Sequence, residues 1–167
     1  EDQKKRRLSP DERRKGEARL LLALLMQVAF PGAAQLYYGD ERAMEGFKDP
    51  FNRRTYPWHQ EEPALTDLFR AILSLRHEHE VLRTGEVEVR TVDTDVLEIR
   101  RYLNAPTVED SDWTDAFGRP AGGEKSLTFL FNRSEHESKP LDLLGGESLP
   151  GMTGVLVSDA DLKYFST

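Results

Sequence analysis

The hydrophobic pattern of this chain changes period near residue 85, and that change sets what it can build. Before it, apolar residues recur at the spacing of a helix face. After it, they alternate as in half-buried strands. The pair of patterns predicts an α+β chain with a boundary near residue 85, helical before and antiparallel β after.

The first element is written most clearly. Ser9-Pro10-Asp11-Glu12 supplies a capping serine, a proline for the first turn and a glutamate three residues on, which is a capping box. Ala18, Leu21, Leu22, Leu25, Met26 and Ala29 then follow at helical spacing until Phe30-Pro31-Gly32. The late turns are apolar nearly all round, which predicts a large neighbour. The short run Ala33 to Tyr38, bounded by Gly32 and Gly39, reads as a buried strand of a parallel sheet. Helix, two-residue connection and buried strand make the αβ half of a βα unit, and one such unit cannot close a sheet. A polar loop runs from Asp40 to about Pro63, and a second helix from Ala64 to about His77 presents Leu68, Ile72 and Leu75 on one face. Loops of that length in compact proteins are usually functional.

Past Leu82-Arg83-Thr84-Gly85, period-two segments lie at Val87–Arg90, Val96–Tyr102, Leu127–Phe131, Val155–Val157 and Leu162–Phe165. Turn signals at Asp93-Thr94 and Gly122-Gly123 separate them, and the acidic stretch Glu109 to Asp115 falls in a long hairpin loop. These predict an antiparallel sheet or sandwich. No internal repeat is visible.

A net charge of −7 argues against a nucleic-acid or anionic-membrane partner, since both need a basic surface. Lys4, Lys5, Arg6 and Arg7 stand beside Glu1 and Asp2 with no aromatic residue for stacking, and read as a solvated terminus. The longest apolar run, Leu20 to Met26, falls far short of the ~20 residues that cross a bilayer. With no cysteine there is no disulfide or thiolate zinc site, which slightly favours a cytoplasmic setting. The four histidines form no metal pattern, because His77 and His79 point apart on a helix and His59 and His136 are distant in sequence. No phosphate-cradling glycine loop is present, so no cofactor is expected. A charged opening without Met reads as a piece of something longer.

Around the expected strand the chain reads Phe30-Pro31-Gly32-Ala33-Ala34-Gln35-Leu36-Tyr37-Tyr38-Gly39-Asp40-Glu41. It continues with Asp49-Pro50-Phe51-Asn52-Arg53-Arg54 and Tyr56-Pro57-Trp58. This resembles the eighth strand and following loop of α-amylase family barrels, most of all the neopullulanase, cyclomaltodextrinase and maltogenic amylase branch. Leu73-Ser74-Leu75-Arg76 with Leu82 to Gly85 is similar to the family's passage from the eighth barrel helix to its C-terminal β-domain. Leu130-Phe131-Asn132-Arg133-Ser134 is similar to that domain's central strand. The resemblance covers nearly the whole chain, most strongly from Leu20 to Gly85. It implies that residues 1–85 are the end of a (β/α)8 TIM barrel, with two helices and the eighth strand, and residues 86–167 a β-sandwich.

The family's retaining chemistry on α-1,4 and some α-1,6 glucosidic bonds needs two carboxyl groups about 5–5.5 Å apart across the scissile bond. By the resemblance, these and a further Asp in an Asn-His-Asp segment belong to upstream strands. The chain contains no His-Asp pair, so no catalytic residue is assigned. Asp40 and Glu41 are adjacent at a strand end, point to opposite sides and cannot straddle one bond; they are expected to hold backbone groups. The resemblance makes Asp49 and Arg53 the substrate-binding candidates, holding a glucose unit of an α-glucan or maltooligosaccharide, with an ion pair bracing the loop as the plainer reading. Tyr56 and Trp58 read as loop packing before sugar stacking. Arg42 departs from the family, which has an apolar residue there. The alternative to an enzyme segment is a non-catalytic carbohydrate-binding or interaction module, for which Trp113 is the one evident platform. A barrel remnant with an open edge predicts cover by the β-domain, self-association or disorder.

Overall fold

The computed structural model describes residues 6–103, 125–158 and 161–167. Helix α1 spans Pro10–Ala29, and its start is the capping box written in the sequence: Ser9 Oγ accepts the Glu12 N–H at 3.2 Å while Glu12 Oε2 accepts the Ser9 N–H at 2.8 Å. Helix α2 covers Ala64–Glu78, and the short α3, Glu80–Thr84, follows after His79. Five strands form one antiparallel sheet in the order β1 (Glu86–Asp93), β2 (Val96–Tyr102), β3 (Ser126–Asn132), β6 (Thr153–Val157), β7 (Leu162–Phe165). Two-residue strands β4 (Pro140–Leu141) and β5 (Glu147–Ser148) pair with each other between β3 and β6.

Both faces of the sheet are apolar and covered unequally. Ile99, Leu127, Phe129, Phe131, Leu156 and Phe165 face α1 and α2 in one cluster with Leu21, Leu25, Val28, Phe69, Ile72 and Leu75. This cluster draws residues from both sides of residue 85. The helix lies close to the sheet because β6 carries Gly154: a Cβ there would come within 2.5 Å of Leu25 Cδ2. On the other face Val96, Leu130 and Val155 meet Leu141, Leu144 and Leu149. Among the described residues, the second layer of the expected sandwich is therefore β4, β5 and the 3-10 turn Asp142–Leu144, because Pro140, Gly145, Gly146 and Pro150 interrupt any longer strand between β3 and β6.

Buried polar groups tie these layers together. Arg101 on β2 is fully buried and spends its donors on carbonyls: Ala29 at 3.0 Å, Leu82 at 3.3 Å, Gly85 at 2.6 Å and Glu86 at 3.0 Å. Arg76 on α2 donates to the carbonyls of Val28, Phe30 and Gly32. Two arginines from elsewhere in the chain thus terminate α1, whose own last turn has no basic residue. Burial lowers the pKa of both, and Arg76 lowers that of Arg101 further. Asn132, buried at the end of β3, donates from Nδ2 to the carbonyls of His136, Leu149 and Pro150 and accepts the Ser134 N–H. It holds the connection that carries β4 and β5.

The expectation of a buried strand over Ala33 to Tyr38 is corrected: this segment has no regular structure, and Tyr37 and Tyr38 are 48% and 44% exposed. A parallel strand needs hydrogen-bonding neighbours along its edges, and the sheet of this chain is built without it. Leu36 in the same segment is exposed as well. Trp113, Glu109 to Asp115 and Gly122-Gly123 lie outside the described residues, as do Lys4 and Lys5.

Candidate functional site

The connection between α1 and α2 takes its shape first at Gly39. Its φ is +89°, and a Cβ would come within 2.3 Å of Met44 Sδ, so the position requires glycine. Asp40–Arg42 make one 3-10 turn, and the Met44 N–H returns to the Gly39 carbonyl at 3.0 Å.

Asp40 and Glu41 both hold backbone, as their adjacency suggested. Asp40 Oδ2 accepts the Tyr37 N–H at 3.3 Å and Glu41 Oε2 the Gly39 N–H at 3.1 Å. Glu41 reaches further than its sequence position revealed. Its Oε1 accepts the Tyr56 hydroxyl at 2.6 Å, and its carbonyl accepts the Thr66 hydroxyl at 2.8 Å, joining the loop to α2. The bond to Glu41 raises the Tyr56 pKa, and burial raises that of Asp40.

Arg42 was legible only as an oddity, a charge where an apolar residue was expected. It is 8% exposed, and its Nη2 donates to the carbonyls of Gln60 at 2.5 Å, Glu61 at 3.1 Å and Pro57 at 3.4 Å. Its guanidinium also lies 5.9 Å from the Tyr56 ring centroid. An apolar side chain would leave those carbonyls unpaired; the guanidinium instead folds the far end of the loop over its start. The signal that could have found it is the charge itself, at a position where the family has an apolar residue.

Asp49 and Arg53 are brought together. Arg53 Nη2 lies 3.1 Å from Asp49 Oδ2, in a turn closed by Phe51 N–H to Lys48 O at 2.9 Å and Arg53 N–H to Pro50 O at 3.1 Å. Both side chains are exposed, so solvent screens the pair and its bracing value is small. What the arrangement offers chemically is a carboxylate and a guanidinium side by side, able to accept from one hydroxyl and donate to its neighbour. Tyr38 donates its hydroxyl to the Arg54 carbonyl at 3.0 Å, fixing this turn to the segment before Gly39. Tyr56 and Trp58 pack on each other with ring centroids 4.6 Å apart; Tyr56 is committed to Glu41, while Trp58 is exposed. Among the described residues no group of three or more His, Cys, Asp or Glu is placed to hold a metal ion, and no helix is long and apolar enough to cross a membrane.

No family model matches the chain. It is 40% identical over 128 residues to the amylopullulanase of Thermoanaerobacterium saccharolyticum, covering 76% of this chain and 9% of that protein. It is 33% identical over 142 residues to neopullulanase 2 of Thermoactinomyces vulgaris, covering 84% of this chain and 23% of the relative. Among solved structures, the debranching enzyme from Nostoc punctiforme superposes with a TM-score of 0.61 at 23% identity, over 84% of this chain and 31% of that one. The cyclic alpha-maltosyl-(1→6)-maltose hydrolase from Arthrobacter globiformis does so with a TM-score of 0.59 at 20% identity, over 90% and 30%. At such identities the structural likeness speaks to the fold alone. The chain spans less than a quarter of the length of either curated relative.

Proposed function

The chain belongs to the α-amylase family of glycoside hydrolases as a partial segment, and from that premise we propose that it is the C-terminal part of a retaining α-glucan hydrolase or transglycosylase. In this reading residues 1–85 end the catalytic (β/α)8 barrel, residues 86–167 form the stabilising β-domain, and the loop after Tyr38 supplies one wall of the substrate cleft. The substrates are α-1,4 and some α-1,6 glucosidic bonds of starch, maltooligosaccharides or cyclodextrins.

The observation that carries the reading is the exposed Asp49–Arg53 pair on a loop whose base is pinned by Glu41 and Arg42. A pair needed only for bracing gains little at such exposure, whereas one facing a cleft keeps its donors and acceptors available for sugar hydroxyls. The exposed Leu36, Tyr37 and Tyr38 support the barrel assignment, since neighbouring barrel strands would bury such a run. The acid and nucleophile of the reaction then lie on other parts of the polypeptide, and this segment alone is catalytically silent.

The test is steady-state kinetics on pullulan and on a cyclodextrin with a longer polypeptide that contains this segment and hydrolyses them. Asp49→Ala and Arg53→Ala are each expected to lower kcat/KM by about tenfold or more, the loss of one charge-assisted hydrogen bond. Unchanged kcat/KM in both variants would refute the assignment.

A further inference from the structure

Strand β1 is an outer strand of the sheet, and among the described residues only β2 pairs with it. The β2–β3 ladder is continued at its two ends by Leu103 N–H to Lys125 O at 2.9 Å and Arg133 N–H to Asp95 O at 3.1 Å. Backbone groups in an antiparallel ladder point to alternate sides, so Leu97, Ile99 and Arg101 turn theirs to β3, and Glu98, Arg100 and Tyr102 turn theirs to β1. The partners of the latter on β1, Arg90, Glu88 and Glu86, are used inward. Val87, Val89 and Thr91 are left with N–H and C=O aimed off the edge. Edges are ordinarily blunted by short length, lysine, proline or a bulge. The other outer strand, β7, has four residues and carries Lys163. β1 has eight residues with neither lysine nor proline, and its register shift lies past Thr91.

The charges on β1 select an occupant for this edge. Symmetric antiparallel pairing with a second copy keeps each sheet face continuous only when the twofold axis passes through a residue. With the axis at Glu88 or Arg90, that residue meets its own copy; with it at Val87, Glu86 opposes Glu88. Each of these sets like charges together. With the axis at Val89, Glu88 lies opposite Arg90 of the second copy and Arg90 opposite its Glu88. Val89, 45% exposed, then meets Val89, and Val87 meets Thr91, so the outward backbone groups of all three residues pair. Arg90 is already set for this role: its Nε donates to Glu98 Oε1 at 3.0 Å, while its side chain stays 58% exposed. Glu88 stands opposite Arg100 within its own sheet. Across the junction the row reads Glu98, Arg90, then Glu88 and Arg100 of the second copy, alternating in sign at each step. We propose that two copies of this chain join edge to edge through β1 about a twofold axis at Val89, making one continuous sheet with the helices of both on the same face.

The experiment is sedimentation velocity over a concentration series of the chain, with circular dichroism verifying that each variant is folded. The unmodified chain is expected to pass from monomer to dimer as concentration rises. Glu88→Arg sets like charges opposite each other twice and should raise the dissociation constant about tenfold or more, whereas Lys163→Glu on β7 should leave it unchanged. Cross-linking then reads the register, since the chain has no cysteine of its own. Val89→Cys would place two thiols across the axis with Cα atoms about 5.5 Å apart, within disulfide reach. Val87→Cys would lie about 13 Å along the strand from its copy, out of reach. Under oxidised glutathione, Val89→Cys should become a covalent dimer and Val87→Cys remain uncoupled. A chain that stays monomeric up to about 1 mM would overturn the proposal. So would association unmoved by Glu88→Arg, association lost in Lys163→Glu, which would put the contact on β7, or equal cross-linking of the two cysteine variants.

Discussion

Arg101 donates to four carbonyls contributed by α1, α3, the turn after α3 and β1. Replacing it by Met removes every one of those donors at once and leaves buried oxygens unpaired, each at a cost of about 1–3 kcal/mol. Arg101→Met should therefore lower the unfolding free energy of the chain by about 3 kcal/mol or more. Urea denaturation checks this, and an unchanged midpoint would show that water replaces the guanidinium. Asp40 gives a pH prediction whose sign follows from its environment. Burial raises its folded pKa above the ordinary 3.8, so its ionised form is disfavoured in the folded state. Below 3.8 the carboxyl is protonated folded or unfolded and nothing is lost; as pH rises through the folded pKa, ionisation removes stability. Asp40→Asn should match the unmodified chain below that range and become the more stable of the two above it. Thermal unfolding across pH 3 to 7 compares them, and a variant less stable at neutral pH would contradict the argument.

Helix α1 was readable to the residue because its boundaries are set by local chemistry: a Ser9–Glu12 box at one end and Phe30-Pro31-Gly32 at the other. Ser9→Ala should cost about 1 kcal/mol, seen as a lower urea midpoint with an unchanged slope. A change in slope instead would mean that the helix end was not folded to begin with. Strands β2 and β7 were equally legible, since the period-two alternation over Val96–Tyr102 and Leu162–Phe165 marks extended chain whatever covers its two faces. Ala33 to Tyr38 carries an apolar pattern of the same strength and forms no strand, because strandhood depends on partners that a linear pattern does not contain. Strands β4 and β5 escaped notice for the opposite reason: two residues each are too few to show a period. Within the loop, sequence singled out Asp49, Arg53 and the backbone-holding role of Asp40 and Glu41. It could not show that Arg42 gathers distant carbonyls, since that depends on contacts made only when the loop folds back.

At the scale of the described residues, one large apolar cluster joins the helices to the β-sheet and a smaller one fills the sheet's other face, while Asp49 and Arg53 stay exposed. In the reading proposed above, the exposed pair on the loop is what meets the substrate. The rival reading, a free-standing carbohydrate module, would place recognition on Trp113 instead. Calorimetric titration of maltotriose into the chain, its Asp49→Ala variant and its Trp113→Ala variant separates the two most directly. The account predicts weak binding that Asp49→Ala weakens by about tenfold and Trp113→Ala leaves unchanged; binding abolished by Trp113→Ala and untouched by Asp49→Ala would contradict it.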